Sequence, residues 1–248
     1  MFENIIKNPY TTKPDMKKYE GPIIVTPPLQ YYLDAKEVER ELFKCTYESA
    51  VAIEKELVKR TSQILGFEYE KDNIISFGSS IQEDVAIFYQ GKLEAYYLAF
   101  PSGWNPEDKA GKTLFELHAP VADGDELRNM SDKISQILSA RYSYHRYVWN
   151  LVPTGMLSMH PGYGYSDEEY EIEISSTDNL WFRLEHQTTL PVIENEAFAF
   201  FINVDVLPFN KLPDVDKKLI VDSINSMSES VLRYKHLNEI KKLINVQN

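Results

Sequence analysis

From Asp84 to Phe100 the chain reads DVAIFYQGKLEAYYLAF, two runs of β-branched and aromatic residues on either side of Gln90-Gly91-Lys92. That pattern predicts a β-hairpin, and a hairpin commits its part of the sheet to antiparallel pairing. Further strand-like stretches are Thr113 to His118, closed by Pro120, then Tyr142 to Val152, Leu180 to Gln187 and the nearly continuous apolar run Ala197 to Leu207. Helical spacing marks three other regions. From about Glu37 to Leu65, Ala50, Ile53, Leu57 and Ile64 fall on one face, with Gly66 placed to close the end. Leu127, Met130, Ile134 and Ile137 predict a helix running to about Ala140. Ile220, Ile224, Met227, Val231 and Tyr234 predict one long C-terminal helix. Helices placed before, between and after hairpins, without regular βαβ alternation, give an α+β fold with an antiparallel sheet covered by helices.

The 248 residues are read as one domain, 1 to 248, with an extended arm over residues 1 to 35 where Pro27 and Pro28 close a short apolar run. A net charge of -12 repels phosphate backbones and anionic membranes, so nucleic acid and membrane surfaces are not expected partners. The same acidity suits a cationic ligand or a basic protein partner. Cys45 is the single cysteine, which excludes an intrachain disulfide and a multi-cysteine metal site. Its neighbours predict a helical position for it. The N-terminal residues show no apolar or Arg-rich targeting pattern, and no stretch approaches eighteen apolar residues, so a cytoplasmic location is expected.

Several chemistries lose their usual signatures. Neither GxGxxG nor GxxxxGK[ST] occurs, and HExxH and GxSxG are absent. His118, His145, His160, His186 and His236 do not pair at metal-ligand spacing. A haem iron needs only one axial histidine, and spacing alone does not choose among the five.

Three ordered stretches carry a resemblance. The first is IQEDVAIF, Ile81 to Phe88, followed by AFPSGWNPEDKAGKTLFELHAPV, Ala99 to Val121. The second is RYVWNL, Arg146 to Leu151. The third is LWFRLEHQTTLP with AFAFFINV, Leu180 to Pro191 and Ala197 to Val204. Over roughly residues 17 to 210 the chain resembles the haem-dependent oxidative N-demethylase alpha-subunit-like family. The resemblance implies a PAS-like sheet and b-type haem held through its iron by a histidine. His118, beside the Ala119-Pro120 turn, is the best-placed ligand, with His186 as runner-up. Arg146 and Lys109 are implied partners of the haem propionates. Trp149, with Trp104 and Trp181, is a candidate for packing on the porphyrin, or simply a core residue.

Glu185 is the candidate to hold a substrate ammonium. It alternates with His186, so a regular strand turns the two side chains to opposite faces and only one of them can face a given pocket. Asn203, where many members carry Arg, completes the candidate substrate site. Gln82, Glu83 and Asp84 are expected to fix a turn or strand start through backbone hydrogen bonds.

The activity implied is that of a haem-dependent monooxygenase. It would use O₂ and two electrons from a separate flavin and iron-sulfur reductase to demethylate a small secondary amine such as dimethylamine, releasing formaldehyde. With its single cysteine, the chain offers no ligand set for an iron-sulfur centre of its own, so the electrons would come from a partner. The alternative is a PAS-like haem or small-ligand sensor without catalysis, since a fold does not fix a function.

Overall fold

The computed structural model describes residues 2–50, 52–68, 71–165 and 176–246. Its order begins with β1 (Lys17–Lys18), α1 (Gln30–Leu42), β2 (Thr46–Glu48), α2 (Ile53–Ile64) and α3 (Ile74–Gly78). The hairpin follows as β3 (Asp84–Tyr89) and β4 (Lys92–Tyr97). Next come α4 (Leu114–Leu117), α5 (Asp125–Asn129) and α6 (Ser131–Ala140). Then β5 (Tyr144–Val152), β6 (Trp181–Ile193) and β7 (Ala197–Pro208) lead to α7 (Asp214–Asn225), α8 (Glu229–Tyr234) and α9 (Asn238–Val246). The strands form a seven-stranded open sheet in the order β1-β5-β6-β7-β3-β4-β2, and every paired neighbour is antiparallel. The expected α+β class and antiparallel sheet are therefore present.

Four local expectations differ. Thr113 to His118 is not a strand: Thr113 caps α4 in a capping box, its Oγ1 accepting from Glu116 N–H while Glu116 Oε2 accepts from Thr113 N–H at 2.8 Å. Glu37 to Leu65 is two helices, because Thr46 to Glu48 pairs with β4 as an edge strand, and Cys45 lies in the connection, outside both helices. Burial pushes its thiol up to about 12, so it is no nucleophile. The arm ends earlier than residue 35, since α1 starts at Gln30. The C-terminal segment is three helices rather than one long one, broken where the Ser228 hydroxyl caps α8 and where His236 turns left-handed. The stretch HPGYGYSDEEYE, His160 to Glu171, reads as an exposed loop by its Gly, Pro and acidic residues, and residues 166–175 lie outside the described residues.

Direct cross-strand partners share a face of the sheet. Arg146 opposes Gln187, Gln187 opposes Ile202, and Ile202 opposes Asp84, a row crossing four strands on one face. Val148 with Glu185, and Asn150 with Arg183, extend that face. The opposite face carries two apolar clusters. In one, Leu57, Val58, Ile74 and Phe77 of α2 and α3 pack on Val85, Ile87 and Phe201. In the other, Ile220, Ile224, Val231 and Ile240 of α7–α9 pack on Trp149, Leu151, Phe182 and Leu184. Each such fully buried side chain contributes about 1.5–3 kcal/mol by leaving water. On the first face Leu114 of α4 and Leu138 of α6 cover Ala86, Phe88 and Phe198, and a cavity remains between these helices and the polar rows.

Gln82, Glu83 and Asp84 tie this framework together. Gln82 Oε1 accepts from Leu29 N–H, Glu83 Oε1 from Val25 N–H at 2.7 Å, and the Asp84 carboxylate from Ala99 and Phe100 N–H at 3.0 and 2.8 Å. Lys36, fully buried, donates to the carbonyls of Gly78, Ile81 and Glu83. These bonds anchor α1 and the segment before it to the entrance of β3.

Candidate functional site

The cavity has a volume of about 780 Å³, within the roughly 300–1,000 Å³ range of ligand and cofactor pockets. Its floor is the sheet face bearing Arg146, Gln187, Glu185 and Arg183; its cover comes from α4 and α6, and residues of the N-terminal arm form one side. The cover is apolar, with Leu114, Leu117, Ile134 and Leu138 among its lining residues, and Phe88 lines the cavity from the sheet beneath it. Trp104 and Lys109 line it from the loop after β4, the Lys109 ammonium 5.2 Å from the centre of the Trp104 ring.

His118 stands at the C-terminal end of α4 and lines the cavity. Its Nδ1 is 2.7 Å from the Leu114 carbonyl oxygen. A carbonyl only accepts, so Nδ1 carries the hydrogen and Nε2 keeps its lone pair. Burial, with the positive charges of Arg146 and Lys109 adding to it, pushes the imidazole down to about 4. At neutral pH this is an uncharged ring whose orientation is fixed by a backbone carbonyl, which is the state a metal-ligating histidine requires.

Along β6 a polar ladder follows the strand period. Arg183 Nε lies 3.5 Å from Glu185 Oε1, Gln187 Nε2 donates to Glu185 Oε2 at 2.8 Å, and Arg146 Nε donates across from β5 to Gln187 Oε1 at 2.6 Å. Arg183 is buried and also donates to the carbonyls of Leu157 and Phe100. On this floor the guanidiniums of Arg146 and Arg183 stand with the carboxylates of Glu185 and Asp84, and Lys109 adds a further positive charge at the cavity wall. Among the described residues Arg146 has no ion-pair partner within 4.0 Å.

The structure therefore brings His118, Lys109, Arg146 and Glu185 to one cavity. Trp149 reaches its edge, although most of the indole packs among α7–α9 against Phe182 and Tyr10. Asn203 does not join them. It opposes His186 on the other face, where it accepts from Gln82 Nε2 at 2.7 Å and donates to Asp205. His186 likewise faces away from the ladder, its Nε2 3.1 Å from His145 Nδ1 and its ring stacked on Tyr147. Trp181 is not among the lining residues. The alternation that separates Glu185 from His186 thus sends Asn203 with His186. Arg183, Gln187 and His236 line the cavity and were missed, although the period-two series Arg183, Glu185, Gln187 was legible in the sequence.

Among the described residues no group of three or more His, Cys, Asp or Glu is placed to hold a metal ion, and no helix is long and apolar enough to cross a membrane. Fold and site together define an antiparallel α+β sheet roofed by helices over a cofactor-scale cavity that presents a neutral, backbone-anchored histidine. A model of the family "haem-dependent oxidative N-demethylase, alpha subunit-like" matches residues 41–245, and the chain belongs to that family. No curated protein matches it significantly. The residues present fit a haem: an anchored imidazole, apolar walls, and Arg146 and Lys109 as cations for two carboxylates.

Proposed function

We propose that this chain is a single-domain, PAS-like oxygenase subunit that holds haem b through His118 and demethylates a small secondary amine. The observation that carries the reading is the His118 imidazole, fixed by the Leu114 carbonyl with its free lone pair on a wall of the cavity. Haem, when bound, supplies O₂ binding and oxidation of the N-methyl carbon, with electrons from a separate reductase.

The protein's own residues bind, orient and exclude water. His118 Nε2 ligates the iron. Arg146 and Lys109 pair with the propionates, and the Trp104 ring steadies the lysine. Phe88, Leu114, Leu117 and Ile134 keep the site dry, which strengthens every charge interaction inside it. Glu185 accepts the N–H of the substrate ammonium, and Arg183 and Gln187 fix its carboxylate in one orientation. Because the carboxylate already faces Arg183, a haem-binding sensor without turnover is the second reading.

The test has two stages. Protein produced with a haem precursor should show a Soret band that His118→Ala loses and His186→Ala keeps. With a reductase and dimethylamine, the loaded protein should release formaldehyde, and Glu185→Ala should not. Absence of a Soret band in the wild type, even after haem is added, would sink the reading. A Soret band without turnover or spectral shift across a panel of amines would favour the sensor.

A further inference from the structure

Among the described residues five non-glycine positions adopt a left-handed backbone: Asp15, Gln90, Asp123, Asn195 and His236. Gln90 and Asn195 lie in the turns joining β3 to β4 and β6 to β7, and Asp15 and Asp123 carry the short polar side chains that tolerate this region. His236 is different. Leu237 N–H donates to Leu232 O at 2.8 Å and His236 N–H to Arg233 O at 3.0 Å, the two bonds of a Schellman motif closing α8. The residue between them has φ 55°, the position that glycine ordinarily fills because it has no Cβ to clash.

This turn is pinned from β5. Lys235 Nζ donates to Trp149 O at 2.7 Å, and Asn150 Nδ2 donates to Lys235 O at 3.1 Å. The pinning fixes the direction in which residue 236 projects. His236 lines the same cavity as His118, although the two come from opposite layers of the fold, the α8–α9 junction and the end of α4. Burial holds its imidazole below its ordinary titration range, so it too is uncharged at neutral pH. A side chain kept where glycine would relieve strain, and presented to a cavity, is the pattern of a site at which local stability has been given up for binding.

We propose that His236 is a ligand-contacting residue of this cavity, meeting the bound haem from the α8–α9 side while His118 meets it from α4. The inference rests on the haem reading above and adds a second imidazole to it. It separates two properties that usually move together. Removing the imidazole relaxes the backbone of the empty protein and weakens or alters the bound state.

The experiment compares wild type, His236→Gly and His236→Asn, each as the full chain, by thermal unfolding without haem and by haem titration followed in the absorbance spectrum. Glycine should raise the unfolding temperature by roughly 2–4 °C, the shift that about 1 kcal/mol gives in a chain of this size. Asparagine, which tolerates the left-handed region, should leave it near the wild-type value. Both should bind haem at least tenfold more weakly or with displaced Soret and visible bands. Wild-type affinity and band positions in both variants would overturn the inference while leaving the haem reading intact. A lower unfolding temperature in both would show that the imidazole supports the fold, and would overturn it as well. A wild type that binds no haem would remove both readings together.

Discussion

Nδ1 of His118 donates to the carbonyl oxygen of Leu114 at 2.7 Å, one helical turn earlier in α4, and this bond sets the ring's tautomer and its direction. The ring is held at about 4, against an unfolded value near 6.5. Between those values the unfolded chain binds the proton and the folded chain does not, so the contribution of His118 to stability falls as pH drops from about 6.5 toward 4, while Asp84, which burial holds up to about 6, contributes in the opposite direction. Urea denaturation of wild type and His118→Ala at a series of pH values should show this contribution as a stability difference between the two that shrinks as pH falls from about 6.5 toward 4. An unchanged slope in the variant would refute the assignment.

Loss of the Thr113 cap should reach the site through the backbone. Thr113→Ala removes the hydroxyl that accepts from Glu116 N–H, at a cost of about 0.5–2 kcal/mol. Because α4 ends at His118, the same variant should bind haem more weakly than wild type, whereas removing the i,i+4 pair of Arg60 and Glu56 on α2 should not. Paired measurements of unfolding free energy and haem affinity check both parts. A Thr113 variant with normal affinity would separate helix capping from ligation.

Arg183 is the buried member of an ion pair. Its replacement by Met removes the partner of Glu185 and the donors to Leu157 O and Phe100 O, and breaking a buried pair from one side costs about 3–5 kcal/mol. Replacing Glu185 by Gln should cost less, since Glu185 is the more exposed partner and Gln187 remains a neighbour. Equilibrium unfolding ranks the two. A larger loss for Glu185→Gln would contradict the ladder as described.

Lys36 is pushed down to about 8 by burial, opposed by the charges of Asp84 and Glu83. From about pH 8 to about 10.5 the unfolded chain holds the extra proton on this lysine, so its contribution to stability rises with pH across that window, opposed above about pH 9 by Cys45, whose buried thiol is held up to about 12. Lys36→Met should remove the rise and destabilise the protein at pH 7 by more than about 1–3 kcal/mol, because the carbonyls of Gly78, Ile81 and Glu83 lose their donor. Unfolding free energies at pH 7.5, 9 and 10 test both statements. A pH dependence that is the same in wild type and Lys36→Met would show the lysine to be solvated.

The sequence by itself determined the hairpin, the α+β class and the family. Alternation and turn residues act over a few neighbours, and ordered motifs survive without any knowledge of the fold. It also carried the fact that Glu185 and His186 face opposite ways, since strand period is local. Even the capping box at Thr113 and Glu116 was written there, although Thr113 to His118 read as a strand and the short helix was missed. Tertiary structure decided the rest. Which face of β6 borders the cavity depends on the register with β5 and β7, and that register put Arg146, Gln187 and Glu185 together while sending Asn203 to the other side. Only folding brought His236, more than a hundred residues beyond His118, to the same cavity, because that contact is made by packing α8 and α9 beside β5 and by no pattern along the chain.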